Sequence, residues 1–332
     1  VTDTRPGRIV MLRMTFPRRF SALAIWLLVA ISALGLPACA LESRFYGAEQ
    51  REYPTPAGVE DLYVRVGPRA SAPPTASAAP PPDGPFVHCW LYPAPARVDS
   101  TERSPAILFC HGARTQIDEI GPGLAPMAQR AGAAFMLVSY RGFGRSSPID
   151  GPSRASTAAD AAAALAALRA RPDIDPDRIV VMGYSLGGPP ALAAAATSPV
   201  AGVIIGGTFS SAAAALEDRE LSHLRLLLGN DFDPVDTVRR LDSTPLYIFH
   251  GESDSAFPVY HAYTLAAASS RAGLPVRLDI VPGAGHRSIF RDDPALFDRL
   301  AGFVRAATDP ARVGAAARLR TEQPPTDPTP DR

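Results

Sequence analysis

A serine stands between glycines in Gly183-Tyr184-Ser185-Leu186-Gly187-Gly188, directly after the apolar run Ile179-Val180-Val181-Met182. The run has the make-up of a buried strand, and the alanine-rich stretch Pro189 to Thr197 reads as a helix. Strand, tight turn and helix in that order make a nucleophile elbow, which lifts a serine hydroxyl clear of a sheet edge. Gly183 and Gly187 flank the serine because such a turn leaves little room for side chains. A serine hydroxyl is a poor nucleophile at neutral pH. It needs a base within hydrogen-bond reach, and the base needs an orienting acid.

The chain supplies both, in order. Gly283-Ala284-Gly285-His286 follows an apolar run ending at Val281, and its small residues let the imidazole of His286 reach over the sheet edge. His286 is the expected base. Asp254, in His250-Gly251-Glu252-Ser253-Asp254, follows the run Leu246 to Phe249 and is the expected acid. Glu252 competes for that role on the same loop, while His250 reads as structural. An oxyanion hole completes the set. The backbone N–H of Leu186, just after the serine, is one donor; the second is expected from the loop His111-Gly112-Ala113-Arg114, at Ala113. Arg114 itself reads as a surface arginine. Together these groups would perform acyl transfer.

Elements that could hold them are visible as short apolar runs alternating with helical patterns. The runs are Ala106 to Cys110, Ala134 to Ser139, Ile179 to Met182, Gly202 to Ile205, Leu246 to His250 and Val276 to Val281. The helical candidates are Leu124 to Ala131, Thr157 to Ala170, Pro189 to Ala196 and Val259 to Ala272. Fully apolar strands alternating with helices predict a mostly parallel sheet covered on both faces. Right-handed crossovers then put every strand's carboxyl end on one edge, where Ser185, Asp254 and His286 can meet. Upstream, Glu60 to Val66 and Phe86 to Tyr92 predict an antiparallel pair, joined by a Pro-rich, disordered loop over 67–85. Residues 208–243 break the alternation. An amphipathic stretch from Glu217 to Leu228 and the turn Asp231-Phe232-Asp233-Pro234 predict a small lid or one more packed helix.

The expected organisation is a signal segment over 1–38, an exposed tether over 39–58, a catalytic domain over 59–308 and a disordered tail over 309–332. Arg13, Arg18 and Arg19 precede the uncharged apolar stretch Phe20 to Leu36, the plan of an export signal. Leu36-Pro37-Ala38-Cys39 resembles a bacterial lipobox, although proline replaces its usual small residue. Processing there would leave Cys39 as a lipidated N-terminus in the cell envelope. An uncleaved anchoring helix and ordinary signal cleavage are the alternatives. Val1 reads as an alternative start, with Met11 or Met14 as the other choices. Cys89 and Cys110 lie in strand patterns and read as core residues. The formal net charge of +0 over 332 residues implies no nucleic-acid partner. No lysine occurs, so an arginine is weak evidence for an anion site. No metal-ligand spacing and no Gly-rich dinucleotide loop is present, and no cofactor is expected.

The stretch from Val59 to Ala307 resembles the α/β-hydrolase superfamily. Phe109-Cys110-His111-Gly112, Tyr140-Arg141-Gly142-Phe143-Gly144-Arg145-Ser146, Gly183 to Gly188, His250 to Asp254 and Gly285-His286 resemble serine esterases of the monoglyceride-lipase and depalmitoylase type. The resemblance implies an α/β-hydrolase fold with a short cap, a structural turn at Tyr140 to Ser146, and hydrolysis of a small acyl ester or thioester. A serine peptidase or amidase of the same fold is the alternative within that chemistry. A non-catalytic envelope binding protein is the alternative of another class. A carboxylate-nucleophile dehalogenase or epoxide hydrolase is disfavoured by Ser185 itself.

Overall fold

The computed structural model describes residues 46–67, 76–96, 102–219 and 233–313. The signal segment, Cys39, residues 220–232 and the chain beyond Val313 lie outside the described residues. Among the described residues, nine strands form one sheet. They are β1 (Glu60–Arg65), β2 (Ala76–Ser77), β3 (Phe86–Tyr92), β4 (Ser104–Cys110), β5 (Ala134–Ser139), β6 (Ile174–Tyr184), β7 (Gly202–Gly206), β8 (Leu246–Gly251) and β9 (Val276–Val281). Their spatial order is β2-β1-β3-β5-β4-β6-β7-β8-β9. β1, β2 and β3 pair antiparallel, and β3 meets β5 antiparallel. From β5 to β9 every pairing is parallel. This is the expected α/β-hydrolase architecture.

Strand alternation divides the core. In β4, Ala106, Leu108 and Cys110 face one side, while Ile107 and Phe109 face the other, and all are buried. The first side is covered by α2 (Arg154–Arg169), α3 (Gly188–Ala195), α5 (Pro234–Val238) and α6 (Tyr260–Arg271). The second is covered by α1 (Ile117–Ala131), α7 (Ile289–Asp292) and α8 (Leu296–Ala307). Each fully buried Leu, Ile, Val or Phe contributes roughly 1.5–3 kcal/mol, so both faces favour the parallel sheet over an open one. A short α4 (Ala212–Glu217) follows β7.

Several boundaries differ from expectation. α1 begins at Ile117 because Gln116 caps it, its backbone N–H donating to the Glu119 carboxylate at 3.2 Å. Pro122 and Pro126 inside α1 hide its first half from a periodicity reading. Packing of Ile117, Leu124 and Met127 against the sheet holds the helix despite them. α4 ends at Glu217, and most of the amphipathic stretch from Glu217 to Leu228, with Asp231 and Phe232 of the turn, lies outside the described residues. Within the loop over 67–85, residues 76–85 are described: Ala76 and Ser77 pair with Val64 and Tyr63, and Asp83 pairs with Arg65 at 2.8 Å. Residues 310–313 are helical where a disordered tail was expected.

The expected tether is also corrected. Residues 46–58 lie on the domain, with Tyr46 and Tyr53 buried. Glu49 and Arg51 of this segment exchange strand-like bonds with Gly144, Arg51 N–H to the Gly144 carbonyl at 3.2 Å and Gly144 N–H to the Glu49 carbonyl at 2.9 Å. Arg51 also pairs with Asp118 at 2.7 Å. Aromatic burial and these bonds outweigh the freedom of a short Pro-containing segment. Cys89 and Cys110 are buried free thiols.

Buried histidines make the fold sensitive to acid. Burial is the main cause that pushes His88 and His111 down from 6.5 to about 4, and His250 shifts in the same direction. A depressed histidine contributes stability that is complete above its unfolded value and lost as pH falls through its folded value. The urea midpoint is therefore expected to fall as pH drops from 6.5 towards 4, the two histidines outweighing the opposing gain from Asp160, whose carboxyl burial raises to about 6. A midpoint that stays level or rises between those values would contradict the buried neutral state.

Candidate active site

β6 runs into a single 3₁₀ turn at Ser185–Gly187 and then into α3. Pro189 and Pro190 fall in the first turn of α3, where no N–H partner is lost. Ser185 sits in the left-handed region at φ 57, an unfavourable conformation for a residue with a Cβ. Two glycines let the turn close around it. A Cβ on Gly183 would lie 2.3 Å from the Gly187 carbonyl oxygen, and one on Gly187 would lie 2.0 Å from that of Cys110. The elbow is thereby seated against the end of β4, and its hydroxyl projects into a cavity of about 840 Å³.

Asp254 and His286 arrive from the ends of β8 and β9. The Ser185 hydroxyl donates to His286 Nε2 at 3.0 Å, and His286 Nδ1–H donates to Asp254 Oδ2 at 2.7 Å. The Asp254 side chain is fully buried, and its Oδ1 accepts the amides of Ala256 at 2.8 Å and Phe257 at 2.9 Å. Burial pushes the Asp254 carboxyl up. The hydrogen bonds from His286 and the Phe257 amide outweigh that and hold it below the ordinary carboxylate value. It is ionised at neutral pH and fixes the imidazole tautomer that leaves Nε2 open to accept. The competing acid, Glu252, points elsewhere and accepts the Gly283 amide at 2.9 Å. His250 is structural as expected. Its Nε2–H donates to the Phe257 carbonyl at 2.8 Å, holding the loop that bonds Asp254.

The two expected oxyanion donors, Leu186 and Ala113, line the same cavity as Ser185. Gly112 brings the Ala113 loop in close to the elbow: a Cβ there would lie 3.0 Å from Ser185 Cβ. The Tyr140 to Ser146 turn lies outside the cavity lining and carries structure. Arg141 pairs with buried Asp160 at 2.6 Å, and the Ser146 hydroxyl joins the Ser139 carbonyl to the His88 amide. Cys39 lies outside the described residues.

Tyr184 is the positioning residue that sequence reasoning missed. Its hydroxyl donates to the His286 carbonyl, and its ring lies 5.4 Å from the imidazole. Phe249 stacks on the Tyr184 ring at 5.8 Å, and Phe257 meets His286 edge-on at 5.7 Å. A tyrosine before a nucleophile has no periodic or spacing signature, so only the fold shows this contact. The residue before the nucleophile thus ties the nucleophile's strand to the base's loop.

The elbow's tightness can be tested directly. Gly183→Ala puts a methyl against the Gly187 carbonyl and, at 2.8 Å, against Ala191 Cβ. Both are fixed, so destabilisation of about 2 kcal/mol or more and loss of activity are expected in urea titration and ester assays. Wild-type stability with full activity would show that the turn has another shape.

Comparison with known proteins places this geometry. A family model described as the prolyl oligopeptidase family matches residues 127–310, a stretch containing all three residues of the relay. An uncharacterized protein of Mycobacterium tuberculosis is 32% identical over 220 residues, covering 65% of this chain and 72% of its own. The α/β hydrolase GrgF from Penicillium sp. sh18 superposes with a TM-score of 0.57 at 20% identity, over 75% of this chain and 99% of its own. A thermophilic esterase from Thermogutta terrifontis gives 0.50 at 23% identity, over 73% and 91%. The last two likenesses speak to fold. The chain belongs to the prolyl oligopeptidase family of the α/β hydrolases and is a serine hydrolase.

Proposed function

We propose that the chain hydrolyses carboxylic esters or thioesters through an acyl-enzyme formed on Ser185. The relay from Asp254 through His286 to Ser185 carries this reading. His286 Nε2 takes the hydroxyl proton as Ser185 Oγ bonds to the substrate carbonyl carbon. The carbonyl oxygen becomes an oxyanion, held by the Leu186 and Ala113 amides. Each such donor contributes roughly 3–4 kcal/mol to the barrier reduction. Collapse of the tetrahedral species breaks the bond to the leaving group, which departs with the proton from His286. Water, deprotonated by the same imidazole, then attacks the acyl carbon, and the acid is released with Ser185 restored.

The cavity wall favours ester over peptide. Phe109, Ile120, Leu124, Phe290 and Phe297 offer an acyl chain an apolar surface. A peptidase that anchors a substrate's amino terminus needs a free carboxylate. Among the described residues the cavity is lined by one acid, Glu119, and it is engaged by Arg51 at 3.0 Å and by the Gln116 amide. Peptide hydrolysis is the second reading, because the family is that of prolyl oligopeptidase. A panel of 4-nitrophenyl esters, acyl thioesters and aminoacyl amides separates them. Esters or thioesters are expected to exceed amides in kcat/KM; amide turnover above both would overturn the reading. Ser185→Ala or His286→Ala is expected to cut turnover by about 10³-fold or more and, for Ser185→Ala, to abolish fluorophosphonate labelling. Near wild-type rates in either variant would rule out the relay.

We also propose that the segment before the domain exports the protein and that Cys39 carries a lipid anchor. The basic cluster, the uncharged apolar run and the Leu-Pro-Ala-Cys sequence support this. Cys39→Ala is expected to move the protein from the membrane to the soluble fraction. Unchanged membrane retention would instead favour an uncleaved helix.

A further inference from the structure

The charged lining of the cavity is mainly cationic. Arg114, Arg154, Arg219 and Arg287 line it, against one acid, Glu119, among the described residues. Two of these cations are spent or engaged. Arg219 donates to the carbonyls of Ala215 at 2.8 Å and Ala256 at 2.7 Å and lies 4.6 Å from the Phe257 ring centroid. Arg154 has a partner of its own. Arg114 and Arg287 are exposed and, among the described residues, make no ion pair. Their places in the chain are telling. Arg114 directly follows the candidate oxyanion donor Ala113, and Arg287 directly follows His286.

Arg114 is also held in place. Its backbone is in the left-handed region at φ 55, and its N–H donates to the Tyr46 carbonyl at 2.8 Å. Its side chain runs along Gly47 so closely that a Cβ there would lie 2.5 Å from Arg114 Cγ and 3.3 Å from its Nε. The N-terminal segment thus forms a track for this stem, with no side chain at residue 47 to block it. A strained backbone and a shaped track distinguish Arg114 from a surface arginine with free rotamers. Because the chain has no lysine, placement carries the argument and residue type does not.

We propose that Arg114 and Arg287 form an anion subsite, so that the preferred substrate is an acyl ester or thioester bearing a carboxylate or phosphate. This rests on the acyl-transfer reading of Ser185. The two guanidinium groups flank the reacting centre in sequence and share its cavity. An anion drawn to them brings the scissile carbonyl towards Ser185, while a neutral substrate gains only the apolar wall. The cationic lining also raises the encounter rate with anions, and added salt screens that gain.

Two matched pairs of substrates test this on the whole chain. 4-Nitrophenyl hexanoate and mono-4-nitrophenyl adipate differ by a carboxylate. Butyryl-pantetheine and butyryl-4′-phosphopantetheine differ by a phosphate on the leaving thiol. At low salt the anionic member of one pair is expected to have a kcat/KM about tenfold or more above its neutral twin, an advantage that shrinks with sodium chloride. The pair showing it identifies carboxylate or phosphate as the anion. In the double variant Arg114→Gln/Arg287→Gln that ratio is expected to fall towards one. Neutral twins turned over as well as the anions, or a preference that survives in the double variant, would overturn the subsite while leaving the ester reading intact. Absence of turnover on all four substrates together with no fluorophosphonate labelling would remove the underlying reading, and the subsite with it.

Discussion

The site depends on one backbone constraint: Ser185 is kept at φ 57 at the carboxyl end of β6. A residue with a Cβ stays there only if its surroundings fix it. Here the Gly187 backbone presses against the Cys110 carbonyl, and Gly183 lies under Gly187. Neither contact leaves room for a larger residue. The hydroxyl is therefore aimed outward from the sheet before any substrate arrives. Parallel pairing of β6, β7, β8 and β9 then puts the loops carrying Asp254 and His286 on the same edge. Residues separated by about a hundred positions meet because crossover topology returns each strand in the same direction.

Around that constraint, the polar network is layered. Asp254 is buried yet ionised, because its two oxygens accept two backbone amides and an imidazole N–H. His250 holds the loop that supplies one of those amides. Tyr184 braces the base from the other side, coupling it to the nucleophile's own strand. The imidazole retains its reach because three neighbouring elements limit its motion. That is preorganisation in a physical sense: its ordering cost is met during folding and does not recur at each turnover.

The sequence carried much of this. Ser185, His286 and Asp254 were legible because strand, small-residue turn and helix leave a period change that side-chain chemistry punctuates. The parallel strands were legible because burial on both faces removes polar residues from them. What stayed hidden had other signals or none. Pro122 and Pro126 masked the first half of α1, which survives through packing against the sheet. The segment 46–58 read as a tether from its polarity and prolines. In the fold, two buried tyrosines and main-chain bonds fasten it, and it shapes the Arg114 track. The strand pairing of Ala76 and Ser77 follows from the neighbouring edge of β1 and not from their own propensity. The Tyr184 brace had no spacing to reveal it.

The central claim is that an acyl group passes through covalent attachment to one serine. Intact-mass spectrometry of the protein quenched in acid during turnover of a 4-nitrophenyl ester, followed by peptide mapping, tests it most directly. The account predicts a mass increase of one acyl group minus one hydrogen, located on the peptide containing Ser185 and absent in Ser185→Ala. Turnover with the acyl group on another residue, or undiminished turnover in Ser185→Ala, would contradict it.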